Sequence, residues 1–358
     1  MISKFNRLHL AKLPSMKKSE ILNKARICLP LLNNKCEVDK IHDEADLQVN
    51  TLCRLWGGKG HIYCVKYHED AFVLKHVAAP PKNMSLGDKR KADSYQVEAN
   101  FYDRVAPNLI KRGIKLPQPL LVERDHGKYS NEILIGMTYE KAETGYVDTH
   151  EVLSWLAKFH AAYWGNDMAD EITQKCGLQP IGSYWHLSTR PDEHAQMPNN
   201  GWEGRLKRAA RALDDYLCNR DPLQCIIHGD AKDANILVSS QGQITFCDFQ
   251  YCGKSPPTRD LAYFICSSCD QEDLDNLLIF YLNELKKYLD ANVDPPSFED
   301  LKSSYALAYC DFCRFMSGWG FWGSLDPDLV RSVLDRLDGG KILDSEDDYD
   351  LAMQREFG

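Results

Sequence analysis

Two neighbouring stretches carry most of the information in this chain: Cys225-Ile-Ile-His-Gly-Asp-Ala-Lys-Asp-Ala-Asn-Ile-Leu-Val238 and Gln243-Ile-Thr-Phe-Cys-Asp-Phe-Gln250. In the first, apolar runs flank a loop on which Asp230 and Asn235 stand five residues apart. The second reads as a short strand that delivers Asp248, thirteen residues beyond Asn235. Phosphoryl transfer suits such a pattern because it asks little covalent chemistry of a protein. It needs a carboxylate that orients an attacking hydroxyl and accepts its proton, and hard oxygen ligands that hold Mg2+ against phosphates. Asp230 is the candidate base, and Asn235 and Asp248 are the candidate metal ligands. Any one of them alone is more commonly a solvated surface group or a turn cap. The three at this spacing point to a site.

Upstream of these stretches the pattern is sheet-like. Residues 61–67 and 71–77 alternate as two strands joined by His68-Glu69-Asp70, a hairpin. Ala78 to Asp93 is polar, holds Pro80, Pro81 and Gly87, and reads as a loop; Tyr95 to Val105 reads as a helix. Two more strands are expected around Leu120–Glu123 and Ile133–Tyr139. Beyond Gly145 the apolar period lengthens: Val152, Leu153, Leu156, Phe159 and His160 recur at helical steps. Helices are predicted over Trp202–Leu217, Asp273–Leu289 and Phe298–Met316, after an irregular, aromatic-rich stretch at 177–201. The expected fold class is therefore α+β, with a small antiparallel-sheet lobe at residues 1–142 and a larger helical lobe at 143–358. Residues 1–27 read as a basic leader or a helix, because Lys4, Arg7, Lys12, Lys17 and Lys18 precede the first acid, Glu20.

Composition narrows the function classes. At 44% hydrophobic and 27% charged residues the chain is of soluble globular type, and its formal net charge of −9 argues against a nucleic-acid partner. The thirteen cysteines are odd in number and scattered through apolar runs, with Cys266 and Cys269 as one lone CxxC. That is the pattern of buried reduced thiols, which points to a cytoplasmic protein, with organellar import as the alternative. No apolar run reaches the length of a membrane span.

The motifs resemble those of the aminoglycoside phosphotransferase and choline kinase superfamily, and within it the ecdysteroid-kinase-like (CHK kinase-like) group. His228-Gly229-Asp230 with Asn235 is similar to the family's catalytic loop, and Asp248-Phe249-Gln250 to its metal-binding motif, with Gln in place of Gly. Leu156-Ala-Lys-Phe-His-Ala-Ala-Tyr-Trp164 is similar to its LAxxHAxxW helix. The resemblance spans roughly residues 50–325 and implies a two-lobed, protein-kinase-like fold that uses ATP and Mg2+. It further implies that Lys75 meets the α- and β-phosphates, that Glu98 pairs with Lys75, and that Asp260 of the Asp260-Leu-Ala motif braces the catalytic loop. Gly57, Gly58 and Gly60 could let backbone amides approach phosphates, although a plain turn explains them as well. By position alone, adenine is expected against the backbone of Tyr139, Glu140, Lys141 and Ala142. Lys232 stands where it could neutralise the transferring group.

The acceptor is expected to be a small molecule bearing a hydroxyl. Two aromatic-rich segments, Gly182–Arg190 and Tyr309–Trp322, could line it or could simply pack the core, with Asp311 and Trp319 singled out as lining residues. An amino alcohol and a sterol-like alcohol both fit such residues. An aminoglycoside would want acidic residues, and Asp344, Glu346, Asp347 and Asp348 read as a solvated tail instead. A protein kinase is a poor fit, since HRD, DFG and APE motifs are missing and Asp260 follows Asp248 too closely for a long activation loop. A catalytically silent nucleotide-binding module is the alternative from another class; the complete set Lys75, Glu98, Asp230, Asn235 and Asp248 speaks against it.

Overall fold

The computed structural model describes residues 16–32, 47–55, 58–79, 86–124, 132–142, 147–269, 273–321 and 325–358. Contacts divide the chain into two compact units, residues 1–110 with 116–141, and residues 111–115 with 142–358.

The first unit is built on a five-stranded antiparallel sheet. Helix α1 (Lys18–Leu32) precedes β1 (Leu47–Arg54), β2 (Gly60–Tyr67) and β3 (Asp70–Val77); α2 (Leu86–Asn100) runs through a wide turn at Phe101–Val105 into α3 (Ala106–Lys111); β4 (Pro119–Arg124) and β5 (Ile133–Thr138) complete the sheet. The strand order is β1-β2-β3-β5-β4. Register from Gly60↔Val77 to Tyr67↔Asp70 leaves a two-residue turn, His68-Glu69, with His68 at φ 52. Strand alternation sorts the side chains. Phe72 and Leu74 join Tyr63 and Val65 in a core with Ile21, Leu22, Ala25, Cys28 and Leu29 of α1. Lys75, one residue on, therefore belongs to the opposite face of the sheet, where α2 supplies its partner.

The expected loop at 78–93 is cut short by α2, which starts at Leu86. The first turns of α2, Leu86-Gly-Asp-Lys-Arg-Lys, hold too few apolar residues to show a helical period. Strand β1 also escaped the pattern, since most of its residues are exposed and it pairs on one side only, as an edge strand. Of the basic N-terminal segment, residues 1–15 lie outside the described residues.

The second unit is mainly helical. It contains α4 (Thr149–Ala161), α5 (Asn166–Cys176), α6 (Pro191–Gln196) and α7 (Gly201–Asp215), then four short strands β6 (Cys225–Ile227), β7 (Ile236–Val238), β8 (Ile244–Phe246) and β9 (Gly253–Ser255). Helices α8 (Thr258–Ser268), α9 (Leu274–Tyr288), α10 (Phe298–Trp319), α11 (Pro327–Asp338) and α12 (Glu346–Phe357) follow. Strand β6 pairs with β9, and β7 with β8, each antiparallel. These two small ladders hold the loops quoted at the outset. Helix α4 starts at an Asp148 cap whose side chain accepts from His150 N and Glu151 N, and it packs on α9. Helix α10 starts with a Ser297/Asp300 capping box and runs through the core, against α6, α7, α8 and α11.

Two expectations need correction here. Glu346, Asp347 and Asp348 do not lie in a solvated tail: they form the first turn of α12, which a Ser345 capping box starts. Tyr349, Ala352 and Met353 bury one side of that helix, and Arg211 of α7 bonds Asp347 and Asp350. Asp311 is not an acceptor-lining residue. It is fully buried in α10, bonded to Arg259 at 3.1 Å and to Arg314 at 2.6 Å. Two guanidiniums in a dry interior require such a carboxylate, because an unpaired buried charge is costly.

Candidate active site

In the second unit the chain leaves β6 into His228-Gly229-Asp230. Gly229 has φ +80, and a Cβ placed there would lie 2.2 Å from the carbonyl oxygen of Tyr251 and 2.7 Å from Ser183 N. Only glycine fits, which is the physical content of the His-Gly-Asp pattern. Asp260 of α8 accepts from the backbone N–H groups of His228 at 2.7 Å and Gly229 at 2.9 Å. His160 of α4 completes the brace: its Nε2 lies 3.2 Å from Asp260 Oδ2, and its Nδ1 lies 2.9 Å from the Tyr281 hydroxyl on α9. The Asp260-Leu-Ala and LAxxHAxxW motifs thus meet in one buried hydrogen-bond network.

The His228 ring has both nitrogens engaged. Its Nδ1 accepts from the Asp230 backbone N–H at 3.2 Å, so Nε2 carries the proton and donates to Cys247 O at 3.0 Å. Burial lowers its pKa below the usual histidine value, in keeping with a neutral ring. His228 is a scaffold residue that ties the Asp230 loop to the residue before Asp248.

Asp230 is 5% exposed and heavily bonded. Lys232 Nζ donates to its two carboxylate oxygens at 3.0 and 3.1 Å, and Asn235 Nδ2 donates to Oδ2 at 2.9 Å and to the Asp230 carbonyl at 2.8 Å. Burial pushes the Asp230 pKa above its ordinary value; the Lys232 charge pulls it back, and the Asp248 charge adds to the rise. Asn235 and Asp248 come together through the β7–β8 ladder, which is extended by Cys247 N donating to Asn235 O at 2.9 Å. Asp248 itself has φ +68, a left-handed conformation that a non-glycine residue seldom adopts and that clusters at functional sites. The Gln250 side chain donates to its Oδ1. The donor set fits a hard cation. With the Asn235 amide nitrogen committed to Asp230, the amide oxygen is the atom left to ligate, beside the Asp248 carboxylate. Among the described residues no cluster of three or more His, Cys, Asp or Glu side chains could hold a metal ion.

In the first unit, Lys75 Nζ and Glu98 Oε2 stand 2.6 Å apart, at 4% and 1% exposure. Tyr95, one turn before Glu98 on α2, presents its ring 5.6 Å from the Lys75 ammonium. A dry ion pair seldom improves stability over apolar packing, so its presence here favours a functional reason. The glycines divide. A Cβ on Gly60 would stand 2.0 Å from His76 O, so Gly60 is required by the close approach of β3; Gly58 has φ +72 in the turn before β2; Gly57 lies outside the described residues. Tyr139 to Ala142 leave β5 without regular structure, and Glu140 accepts from the Thr138 hydroxyl at 3.0 Å.

Sequence reasoning missed an aromatic wall beside Asp230. The Tyr184 ring has Tyr251, Phe315 and Tyr263 at 5.4, 5.5 and 5.8 Å, and the Tyr184 and Tyr263 hydroxyls are 3.1 Å apart. Burial and the charge of Asp230 push the pKa of both tyrosines up. Lys232 Nζ lies 5.7 Å from the Tyr184 ring and 5.9 Å from that of Tyr263. The aromatic-rich segments gave a hint of this wall, but nothing in their spacing shows that positions 184, 251, 263 and 315 would meet.

The model of the phosphotransferase enzyme family, APH, matches residues 57–294. Among solved structures the chain is similar to an aminoglycoside-3'-phosphotransferase of type VIII, at 16% identity over 81% of this chain and 99% of that one, with a TM-score of 0.44. It is similar also to an amicoumacin kinase in complex with AMP-PNP, Ca2+ and Ami, at 14% identity over 94% and 96%, TM-score 0.48. A third is the choline kinase LicA from Streptococcus pneumoniae, at 15% identity over 90% and 99%, TM-score 0.43. No curated protein matches the sequence.

Proposed function

Because this chain belongs to the APH phosphotransferase enzyme family, we propose that it is a kinase of small molecules, which moves the γ-phosphoryl group of ATP onto an alcohol. The observation that carries this reading is the Asp230 carboxylate, buried yet bonded to Lys232 and Asn235, with the Asp248 carboxylate close enough to raise its pKa.

Asp230 orients the acceptor hydroxyl and takes its proton as the oxygen–phosphorus bond forms; the bond from the γ-phosphorus to the bridging oxygen breaks, and ADP carries away the electron pair. Lys232 holds Asp230 ionised and adds positive charge near the transferring group. Asn235 and Asp248 would hold Mg2+, which neutralises charge on the phosphates when bound. Residues 1–142 serve as the nucleotide-binding lobe and 143–358 as the catalytic and acceptor-binding lobe. In the former, Lys75, held by Glu98, would meet the α- and β-phosphates, with Gly58 and Gly60 turned to the phosphates and Tyr139 to Ala142 to adenine. Neither nucleic acid nor a membrane enters this reading, and no helix among the described residues is long and apolar enough to cross one.

The test is a panel of hydroxyl compounds incubated with Mg-ATP, with phosphorylated product read by mass. Phosphorylation of one or more compounds is expected. ATP binding with no product from any amino alcohol, sterol or sugar would favour a silent nucleotide-binding module.

A further inference from the structure

The aromatic wall beside Asp230 already carries two cations of the chain itself, Arg190 and Lys232. Arg190 places its guanidinium carbon 5.1 Å from the Tyr184 ring, 5.6 Å from Phe315 and 6.0 Å from Trp319. It is held there, since Arg190 Nε donates to the Tyr184 carbonyl at 3.0 Å. Lys232 covers Tyr184 and Tyr263 in the same manner. Trp319, 5.8 Å from Phe315, is 56% exposed, so this wall reaches water.

Resting on the reading that Asp230 serves an alcohol acceptor, we propose that Arg190 is a specificity-determining residue which, together with Lys232, excludes alcohols bearing a positive charge. A ring face attracts a cation through its quadrupole, and that attraction lapses where a guanidinium or ammonium already sits. The second means of holding an ammonium is an unpaired carboxylate. Two carboxylates beside the wall are paired with the cations on it, Asp230 with Lys232 and Glu193 with Arg190 at 3.6 Å, while Asp248 accepts from Gln250 and is assigned to the metal. An incoming amine therefore meets two positive groups already seated against Tyr184, Tyr263, Phe315 and Trp319. An uncharged alcohol meets flat apolar surface, with Arg190 as an extension of it, because a guanidinium plane is weakly hydrated and stacks readily. The acceptor class assigned here is an alcohol without positive charge.

A matched pair of ligands separates the two cases: choline and its uncharged carbon isostere 3,3-dimethylbutan-1-ol. Their affinities for the wild type are measured by ligand-observed NMR titration without nucleotide, so the result does not depend on turnover. The isostere should bind at least about tenfold more tightly, a difference within reach of one or two lost cation–π contacts. In Arg190→Met, which keeps an unbranched apolar stem and removes the charge, choline should gain about tenfold while the isostere changes little. Choline binding the wild type as well as the isostere does, or neither ligand binding, overturns the proposal; so does a variant that shifts both alike. The wild-type comparison decides even if the variant does not fold. Selectivity that persists in a protein giving no phosphorylated product would refute the kinase reading and leave this one standing.

Discussion

At the scale of single residues, the site is a problem of keeping a buried carboxylate charged. Burial raises the Asp230 pKa and Lys232 lowers it, so the two act against each other on one proton. A base is lost once protonated, so the rate should fall as pH drops through the raised pKa. Lys232→Met removes the charge that pulls the pKa down; the acid limb of the pH–rate profile should therefore move to higher pH. A profile that stays in place, or moves to lower pH, contradicts the pairing. Gly229 makes a steric case. Gly229→Ala forces a Cβ against a backbone carbonyl in a left-handed conformation, and a loss of about 1–3 kcal/mol is expected from the backbone strain alone. Thermal unfolding measures it, and a variant as stable as the wild type would show that the loop can move aside.

At the scale of elements, α4, α8 and α9 come together around Asp260, and this is where the brace of the His228–Asp230 loop is made. Asp260→Ala leaves two buried backbone donors and His160 without their acceptor, which should cost about 3–5 kcal/mol and lower Tm by roughly 10 °C. A drop of a degree or less would mean that water replaces the carboxylate. The elements also show what the sequence could tell. The β2–β3 hairpin, β4, β5, α4, α7, α9 and α10 were legible because a half-buried strand or helix writes its period into the apolar positions. Edge strand β1 and the polar first turns of α2 bury too little to do so. In the candidate site, Asp230, Asn235 and Asp248 were expected together from their short spacing; the β7–β8 ladder joins the last two, and the Asn235 side chain bonds Asp230. Asp311 was misread, since one acid among aromatics does not reveal that Arg259, fifty-two residues earlier, and Arg314 will close on it. Helix α12 was taken for a tail because its charges outnumber its three buried side chains.

At the scale of the whole molecule, most of the described thiols are buried and pack as small apolar residues. The twelve described cysteines form no disulfide, and burial pushes the pKa of Cys28 up to about 12 and that of Cys218 to about 11. Since the thiolate is the reactive form, alkylation of the native protein in mildly alkaline buffer should mark exposed Cys53 first and leave Cys28 and Cys218 until the protein unfolds. Rapid labelling of Cys28, read by mass spectrometry, would mean that α1 does not stay packed on the sheet. In the proposed reaction, Lys75 with Glu98 belongs to the sheet unit, and Asp230 with the candidate metal ligands Asn235 and Asp248 to the helical one. The most direct test compares the wild type with Asp230→Asn, measuring phosphoryl transfer from Mg-ATP to an alcohol accepted by the wild type, and nucleotide affinity by calorimetry. Transfer should fall by at least about 100-fold while the nucleotide Kd stays within about threefold; undiminished turnover in the variant would contradict the role given to Asp230.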